Sequence, residues 1–315
     1  MGVLYGRVRE APLKESLVTS VVIAVFNGAE ILRLSVPAVL AAHGVDEVVW
    51  VDDGSTDATR AVLDELVGHD PRAKVLGLGT NRGRSAARNR GVAATIGQTV
   101  VFFDADVAPS IGSVIGLANQ IDSRATASVA RLKPVADHPD EPYQDYASRY
   151  SRGPDGDLEA GAALDWRYFV TGACAISRET LKAVGGFDEA VPYGEDQALA
   201  QRLAAVDPTG LRLAQPYVTL HDIGDLGRAL ENAGDYGRSL VLQPEGVSPG
   251  PIKRFRPLAP FVRHTIPLAR SAVSRLPPGT LRRRLVRYLL GATALTAFAH
   301  ARDDAPSGHP VHRGR

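Results

Sequence analysis

Ser20-Val21-Val22-Ile23-Ala24-Val25, giving way to Asn27-Gly28, is the stretch that decides the fold. The run is mostly β-branched and apolar at consecutive positions, so it reads as a parallel strand buried on both faces. A helix is expected over residues 30–42, with Gly44 at its end and Pro37 inside it as a candidate kink. Glu47-Val48-Val49-Trp50-Val51 then repeats the strand pattern and stops at the turn formers Asp52-Asp53-Gly54-Ser55. Ser55 or Thr56 is placed to cap the next helix, which runs to about Val67. Lys74 to Leu78 forms a third, weaker strand, Ser85 to Ala94 a helix, and Thr99-Val100-Val101-Phe102-Phe103 a fourth strand ending at Asp104-Ala105-Asp106.

Strand and helix thus alternate, which predicts an α/β fold: an open, mostly parallel sheet with helices on both faces. Ligands bind such sheets outside the carboxyl ends of the strands. Three of those ends carry polar clusters: Asn27, the pair Asp52 and Asp53, and the pair Asp104 and Asp106. Residues 137–161 are rich in Pro, Gly, Asp and Tyr and read as a long irregular segment, with regular structure resuming at Trp166 to Ser177. Ser248-Pro249-Gly250-Pro251 admits neither helix nor strand. The expected organisation is a body over 1–245, a helical extension over 246–302 and a disordered end over 303–315.

The composition excludes wholesale disorder and collagen-like repeats: 44% of the 315 residues are hydrophobic and 23% charged. Cys174 is the single cysteine, so no internal disulfide and no thiolate-clustered zinc site can form. A lone thiol suits a reducing compartment. The net charge of +1 hides a split, because residues 246–315 hold 13 Lys+Arg against 2 Asp+Glu while 1–245 holds 23 against 33. A basic tail on an acidic body points to an anionic partner. Leu281, Leu285, Leu289 and Ala292, beside Tyr288, recur at helical spacing after Arg282-Arg283-Arg284. The uncharged stretch Tyr288 to Ala299 is too short to span a bilayer. An interfacial helix on an anionic membrane surface is the reading this favours, against a helix packed on the acidic body. No nucleic-acid-reading motif is present, so no nucleic-acid partner is expected. The first apolar run, Leu17 to Phe26, is too short and too β-branched for a secretory signal, and the expected location is cytoplasmic, peripheral to the membrane.

Two carboxylates two positions apart beyond a strand end, Asp104 and Asp106, can share one divalent cation, and hard oxygen ligands suit Mg²⁺ or Mn²⁺ held jointly with substrate phosphate. Equally, they can be turn formers. Asp52-Asp53-Gly54-Ser55-Thr56-Asp57 can accept hydrogen bonds from a nucleobase or a ribose, and can also cap a helix, with Asp57 favouring its N-terminus. Arg84 and Arg88 lie at a loop-to-helix junction suited to a diphosphate, or on a solvated basic face. Glu195 and Asp196 open a helix, where a general base and a dipole-complementing acid look alike. His221 is a candidate metal ligand or a structural hydrogen-bonding residue.

Taken in order, Val21 to Asn27, Val51-Asp52-Asp53-Gly54-Ser55-Thr56-Asp57, the 81–91 run, Asp104-Ala105-Asp106, Gly185-Gly186-Phe187-Asp188-Glu189 and Glu195-Asp196 resemble family-2 glycosyltransferases of the GT-A fold. The resemblance covers about residues 18 to 222. It implies an inverting transfer from a nucleotide-diphosphate sugar donor, dependent on Mg²⁺ or Mn²⁺, in glycan or glycolipid assembly of a bacterial type. The acceptor would be a sugar, a lipid-linked glycan or a small molecule. It further implies that Val25, Asn27, Asp52, Asp53, Arg84, Arg88, Asp104 and Ala105 line the donor site. Asp104, Asp106 and, more loosely, His221 would hold the metal, and Asp196 would act as the base with Glu195 as its alternative. The competing readings are a nucleotidyltransferase and a catalytically silent module that binds nucleotide sugars.

Overall fold

The computed structural model describes residues 18–68, 70–122, 125–147, 158–214, 218–221, 224–239 and 259–303. The opening run forms β1 (Thr19–Val25), which pairs in parallel with β2 (Glu47–Asp52) on one side and β4 (Thr99–Asp104) on the other. β3 (Ala73–Gly77) extends the sheet in parallel beyond β2. Both faces of this half are covered. On one side Val21, Ile23, Trp50 and Phe103 meet Leu32 and Val36 of α1 (Ala29–Ala41) and Leu63 of α2 (Thr59–Val67). On the other, Val49 and Val51 pack on Ala87 of α3 (Arg84–Ala93). Gly91 makes that approach possible, because a Cβ there would stand 2.4 Å from Val22 Cγ1. Apolar residues at consecutive positions are what burial on both faces requires.

Beyond β4 the sheet turns antiparallel: β8 (Ala173–Ser177) pairs against β4, β6 (Ala127–Val129) against β8, and β9 (Leu211–Leu213) runs parallel to β6. The order is β3-β2-β1-β4-β8-β6-β9. A small second sheet joins β5 (Val107–Ala108), β10 (Val218–Leu220) and β7 (Leu132–Pro134). α7 (Glu195–Val206) packs Leu199 and Leu203 on the α3 side of the sheet, with Phe102, Cys174 and Phe187.

Three sequence readings need correction. Ser55 and Thr56 do not cap α2, which begins at Thr59. They bond instead to Asn27: its backbone N–H donates to Ser55 Oγ at 2.9 Å, and its Oδ1 accepts Thr56 N–H at 2.8 Å. Asp57 serves two helix starts, accepting Thr59 N–H at 2.9 Å and Ala29 N–H at 3.3 Å. Residues 137–161 contain a short helix, α5 (Pro142–Ala147). Pro37 lies inside α1, where the sequence placed it.

The third correction concerns the tail. Helices α9 (Ala259–Val273) and α10 (Thr280–Asp303) pack with α5 and with α8 (Leu226–Ser239). The buried face of α10 is Val286, Leu289, Ala292, Leu295 and Phe298, whereas Leu281 is 65% exposed. Arg282, itself buried, reaches Asp145 Oδ2 of α5 at 3.1 Å, and Arg283 Nη1 reaches Asp145 Oδ1 at 2.9 Å. Leu226 and Leu230 of α8 share one apolar cluster with Val273, Val286 and Leu289. The 248–251 boundary and the chain end from 304 lie outside the described residues.

Candidate active site

The carboxyl ends of β1, β2 and β4 open onto one cleft of about 1160 Å³. Val25 and Asn27 line it at the end of β1, Asp53 at the end of β2, and Asp104, Ala105 and Asp106 at the end of β4. Asn27 takes a left-handed conformation, φ 49°, which asparagine tolerates better than most residues. Its bonds to Ser55 and Thr56 tie two strand ends together.

The Asp52-Asp53 pair divides its work. Neighbouring strand residues point to opposite faces. Asp52 is buried, accepts Ser55 N–H at 2.9 Å, and does not line the cleft. Asp53 lines it while accepting Arg82 N–H at 2.8 Å and Gly83 N–H at 2.9 Å, which sets the shape of the 81–83 loop. Gly54 permits the close fit, because a Cβ there would fall 2.3 Å from the Thr80 carbonyl carbon.

The 81–91 motif and the Gly-Gly-Phe motif recognise each other. Asn89 Oδ1 accepts Phe187 N–H at 2.9 Å and its Nδ2 donates to Phe187 O at 2.9 Å, as a strand partner would. Gly186 at φ 70° leaves room, because a Cβ there would stand 2.8 Å from Asn89 Oδ1.

Arg84 and Arg88, both expected at the donor, behave differently. Arg84 opens α3, lies 4.7 Å over the Tyr193 ring, and approaches Glu195 Oε1 at 3.4 Å. Arg88 is buried and spends its charge internally, donating at 2.8 Å to Glu195 Oε1 and at 2.8 Å to Asp104 Oδ1. Burial alone would lower its pKa, but the two carboxylates hold it above the ordinary arginine value. Arg88 is therefore an internal tie, and Glu195, gripped by two guanidinium groups, is an anchor.

Asp196 is different. It opens α7 after Gly194, which sits at φ 77°, and its Oδ1 accepts the neighbouring Gln197 N–H at 2.8 Å. Burial, together with the Glu195 charge beside it, raises its pKa to about 6. It lines a second cavity of about 450 Å³ that shares Arg84, Arg88, Asp104 and Tyr193 with the larger cleft. The two spaces meet along Arg84, Arg88, Asp104 and Tyr193.

Asp104 and Asp106 are the candidate donors for a cation at the cleft. His221 donates its backbone N–H to Asp106 O at 2.8 Å, and no group of three His, Cys, Asp or Glu side chains converges as a metal cage among the described residues. Two carboxylates fit a cation whose remaining ligands are water and substrate phosphate, as Mg²⁺ commonly takes them. Gly172 leaves space for this end of the sheet, because a Cβ there would crowd Asp104 Oδ2 at 2.9 Å. Cys174 is wholly buried, and burial pushes its thiol pKa up, so it plays no nucleophilic part.

Tyr193, Arg228, Asp235, Tyr236 and Arg238 also line these spaces and escaped the sequence reading. Their signal was present as a polar stripe, Arg228, Asp235 and Arg238, along one amphipathic helix.

An open, mostly parallel sheet with a polar cleft at its carboxyl edge defines an α/β protein of GT-A type. The model of glycosyl transferase family 2 matches residues 20–185, more than half of the chain, and the protein belongs to that family. A pre-mycofactocin glycosyltransferase of Mycobacterium tuberculosis (strain ATCC 25618 / H37Rv) is 32% identical over 186 residues, 58% of this chain and 38% of that protein. TarS 1-349 of S. aureus in complex with UDP-GlcNAc superposes with a TM-score of 0.56 at 15% identity, covering 90% of each chain. The mannosyltransferase PcManGT from Pyrobaculum calidifontis, in complex with GDP-Man and Mn²⁺, superposes at 0.52 and 17% identity, covering 93% of this chain and 76% of that one. These likenesses show the GT-A fold. The chain spans 24% to 38% of the length of the first curated relatives it matches.

Proposed function

We propose that the protein transfers a sugar, with inversion, from a nucleotide-diphosphate sugar to an acceptor hydroxyl. The observation that carries this is Asp196: a carboxylate with its pKa raised to about 6, in a cavity that opens onto the donor cleft at Asp104. A base of that pKa is largely ionised at neutral pH and still able to hold a proton.

The acceptor hydroxyl enters the smaller cavity and gives its proton to Asp196. Its oxygen bonds to the anomeric carbon on the face opposite the diphosphate, whose bond to that carbon breaks and takes the electron pair. Arg84 at the start of α3 lies where it can balance the departing charge. Asp53 holds the loop against which the nucleoside rests. Asp104 and Asp106 would hold Mg²⁺ or Mn²⁺, which supplies Lewis-acid neutralisation of the diphosphate. The binding of Mn²⁺ by PcManGT supports this assignment.

The acceptor is proposed to lie at an anionic membrane surface, as part of glycan or glycolipid assembly. The support is the outer side of α9 and α10, where Arg263, Arg270, Arg275, Arg284 and Arg287 are exposed together with Leu268 and Leu281. No helix among the described residues is long and apolar enough to cross a membrane.

A panel of nucleotide sugars, assayed with Mn²⁺ or Mg²⁺ for release of nucleoside diphosphate, tests the reaction. Diphosphate release on transfer supports it. Pyrophosphate exchange would establish nucleotidyl transfer instead, and binding without turnover a silent module.

A further inference from the structure

The strand ends bring three carboxylates to the large cleft: Asp53, Asp104 and Asp106. A diphosphate could not settle there without cations in excess, even with one divalent ion bound. Arg88 is already spent on Asp104 and Glu195, and Arg84 is shared with Glu195. Arg82 lines the cleft from the 81–83 loop, 3.8 Å from Glu189 Oε2, and the rest of the cleft's positive charge comes from α8, which lies beyond the family-matched residues 20–185. Arg228 and Arg238 both line the cleft from that helix.

Their wall is held from two sides. At the front, the Tyr193 hydroxyl donates to Asn232 Oδ1 of α8 at 2.6 Å while the Tyr193 ring carries the Arg84 guanidinium. At the back, Gly237 lies directly on α10: a Cβ there would stand 2.2 Å from Ala294 O. Arg238 follows immediately, so contact between the two helix backbones fixes where it points. Arg238 pairs with Asp235, and both partners are well exposed, which makes the pair easily exchanged for an incoming anion.

We propose that Arg228 and Arg238 are diphosphate-binding residues, forming with Arg84 a three-cation wall opposite the strand-end carboxylates. The proposal rests on the reading of the cleft as a nucleotide-diphosphate sugar site. It makes the C-terminal helices a structural part of that site, since α10 backs the helix that carries the cations.

The test is equilibrium binding of UDP, GDP, UMP and GMP to the full chain in Mn²⁺, measured calorimetrically for wild type, Arg228→Gln, Arg238→Gln and Arg275→Gln. Arg275 is exposed and lies outside the cleft, so it controls for net charge. The preferred diphosphate should bind on the order of tenfold more weakly to each α8 variant, with the corresponding monophosphate little changed. Arg275→Gln should match wild type, and Arg→Lys at 228 or 238 should recover part of the loss. Equal losses for diphosphate and monophosphate, or unchanged affinity in both α8 variants, would overturn the proposal while leaving the donor-site reading standing. Failure of the wild type to bind any of the four nucleotides would overturn both.

Discussion

Arg88 donates from Nη1 to Glu195 Oε1 at 2.8 Å across 107 positions of the chain, with both side chains buried. Its Nη2 reaches Asp104 at the same distance. One guanidinium thus ties the end of β4, where the cation and leaving group are proposed to lie, to the first turn of α7, where the proposed base sits. The spacing between those two halves of the reaction is set by a buried guanidinium that lines both spaces.

Glu195→Gln should separate anchoring from catalysis. Removing one partner of a buried pair costs about 3–5 kcal/mol, and the low end applies because Arg88 keeps Asp104. Glu195 also pushes the Asp196 pKa up, so its neutralisation should move the acidic limb of the rate–pH profile below 6. Chemical denaturation and a rate–pH profile measure the two effects. A limb that vanished altogether would transfer the role of base to Glu195.

Asp196→Asn should lower transfer by ~100-fold or more while nucleoside diphosphate affinity persists. It should also stabilise the protein in one pH range. The carboxyl is raised from 3.8 to about 6 on folding, so between those values the native state holds a proton that the unfolded chain releases. Stability contributed by this group is therefore present at low pH and lost as pH rises through 6. The substitution removes that penalty, and the melting temperature of the variant should exceed that of wild type above pH 6 and converge with it toward pH 4. Convergence in the opposite direction would contradict the raised pKa.

β1, β2 and β4 were legible because each carries an apolar run buried on both faces, and their ends carried the polar clusters, whereas β3, partly exposed and interrupted by Lys74, gave a weaker signal. The split between Asp52 and Asp53 was legible in principle from the two-residue period of a strand, which lets only one of them face the cleft. The start of α2 was not, because Ser55 and Thr56 are captured by Asn27 from another strand end, a contact no local pattern announces. β5, β7 and β10 are too short to show any period. The Leu281, Leu285, Leu289 ladder misplaced the inner face of α10 because that helix packs against both α8 and α9, so its buried stripe widens past the ladder toward Val286 and Phe298. Arg88 lines both spaces, and its pairing with Glu195 was hidden because that partner is remote in sequence.

Asp106→Ala should make nucleoside diphosphate binding insensitive to the cation. Wild-type affinity for the preferred diphosphate should rise when Mn²⁺ replaces EDTA, and the variant should show little of that rise, since a lost carboxylate removes half of the protein's ligand set. Calorimetric titrations with and without Mn²⁺ decide it. A variant that kept the full Mn²⁺ enhancement would place the cation elsewhere.

The membrane surface is best tested without deleting the tail, because α10 buries Val286 and Leu289 against Leu226 and Leu230 of α8 and its loss would uncover that cluster. Leu281, 65% exposed, and the exposed Arg284 and Arg287 can be changed without touching the packed face. Each arginine near an anionic surface contributes about 1 kcal/mol and the leucine adds apolar burial. Leu281→Gln with Arg284→Gln and Arg287→Gln should therefore reduce binding to phosphatidylglycerol-containing vesicles by at least tenfold. Wild-type binding should itself weaken with salt, because exposed charges are screened over about 8 Å at physiological ionic strength. Vesicle sedimentation at low and high salt measures both effects, and nucleoside diphosphate affinity should be unchanged in the same variant. Wild-type protein that stays in the supernatant at low salt would leave the basic face without a membrane role.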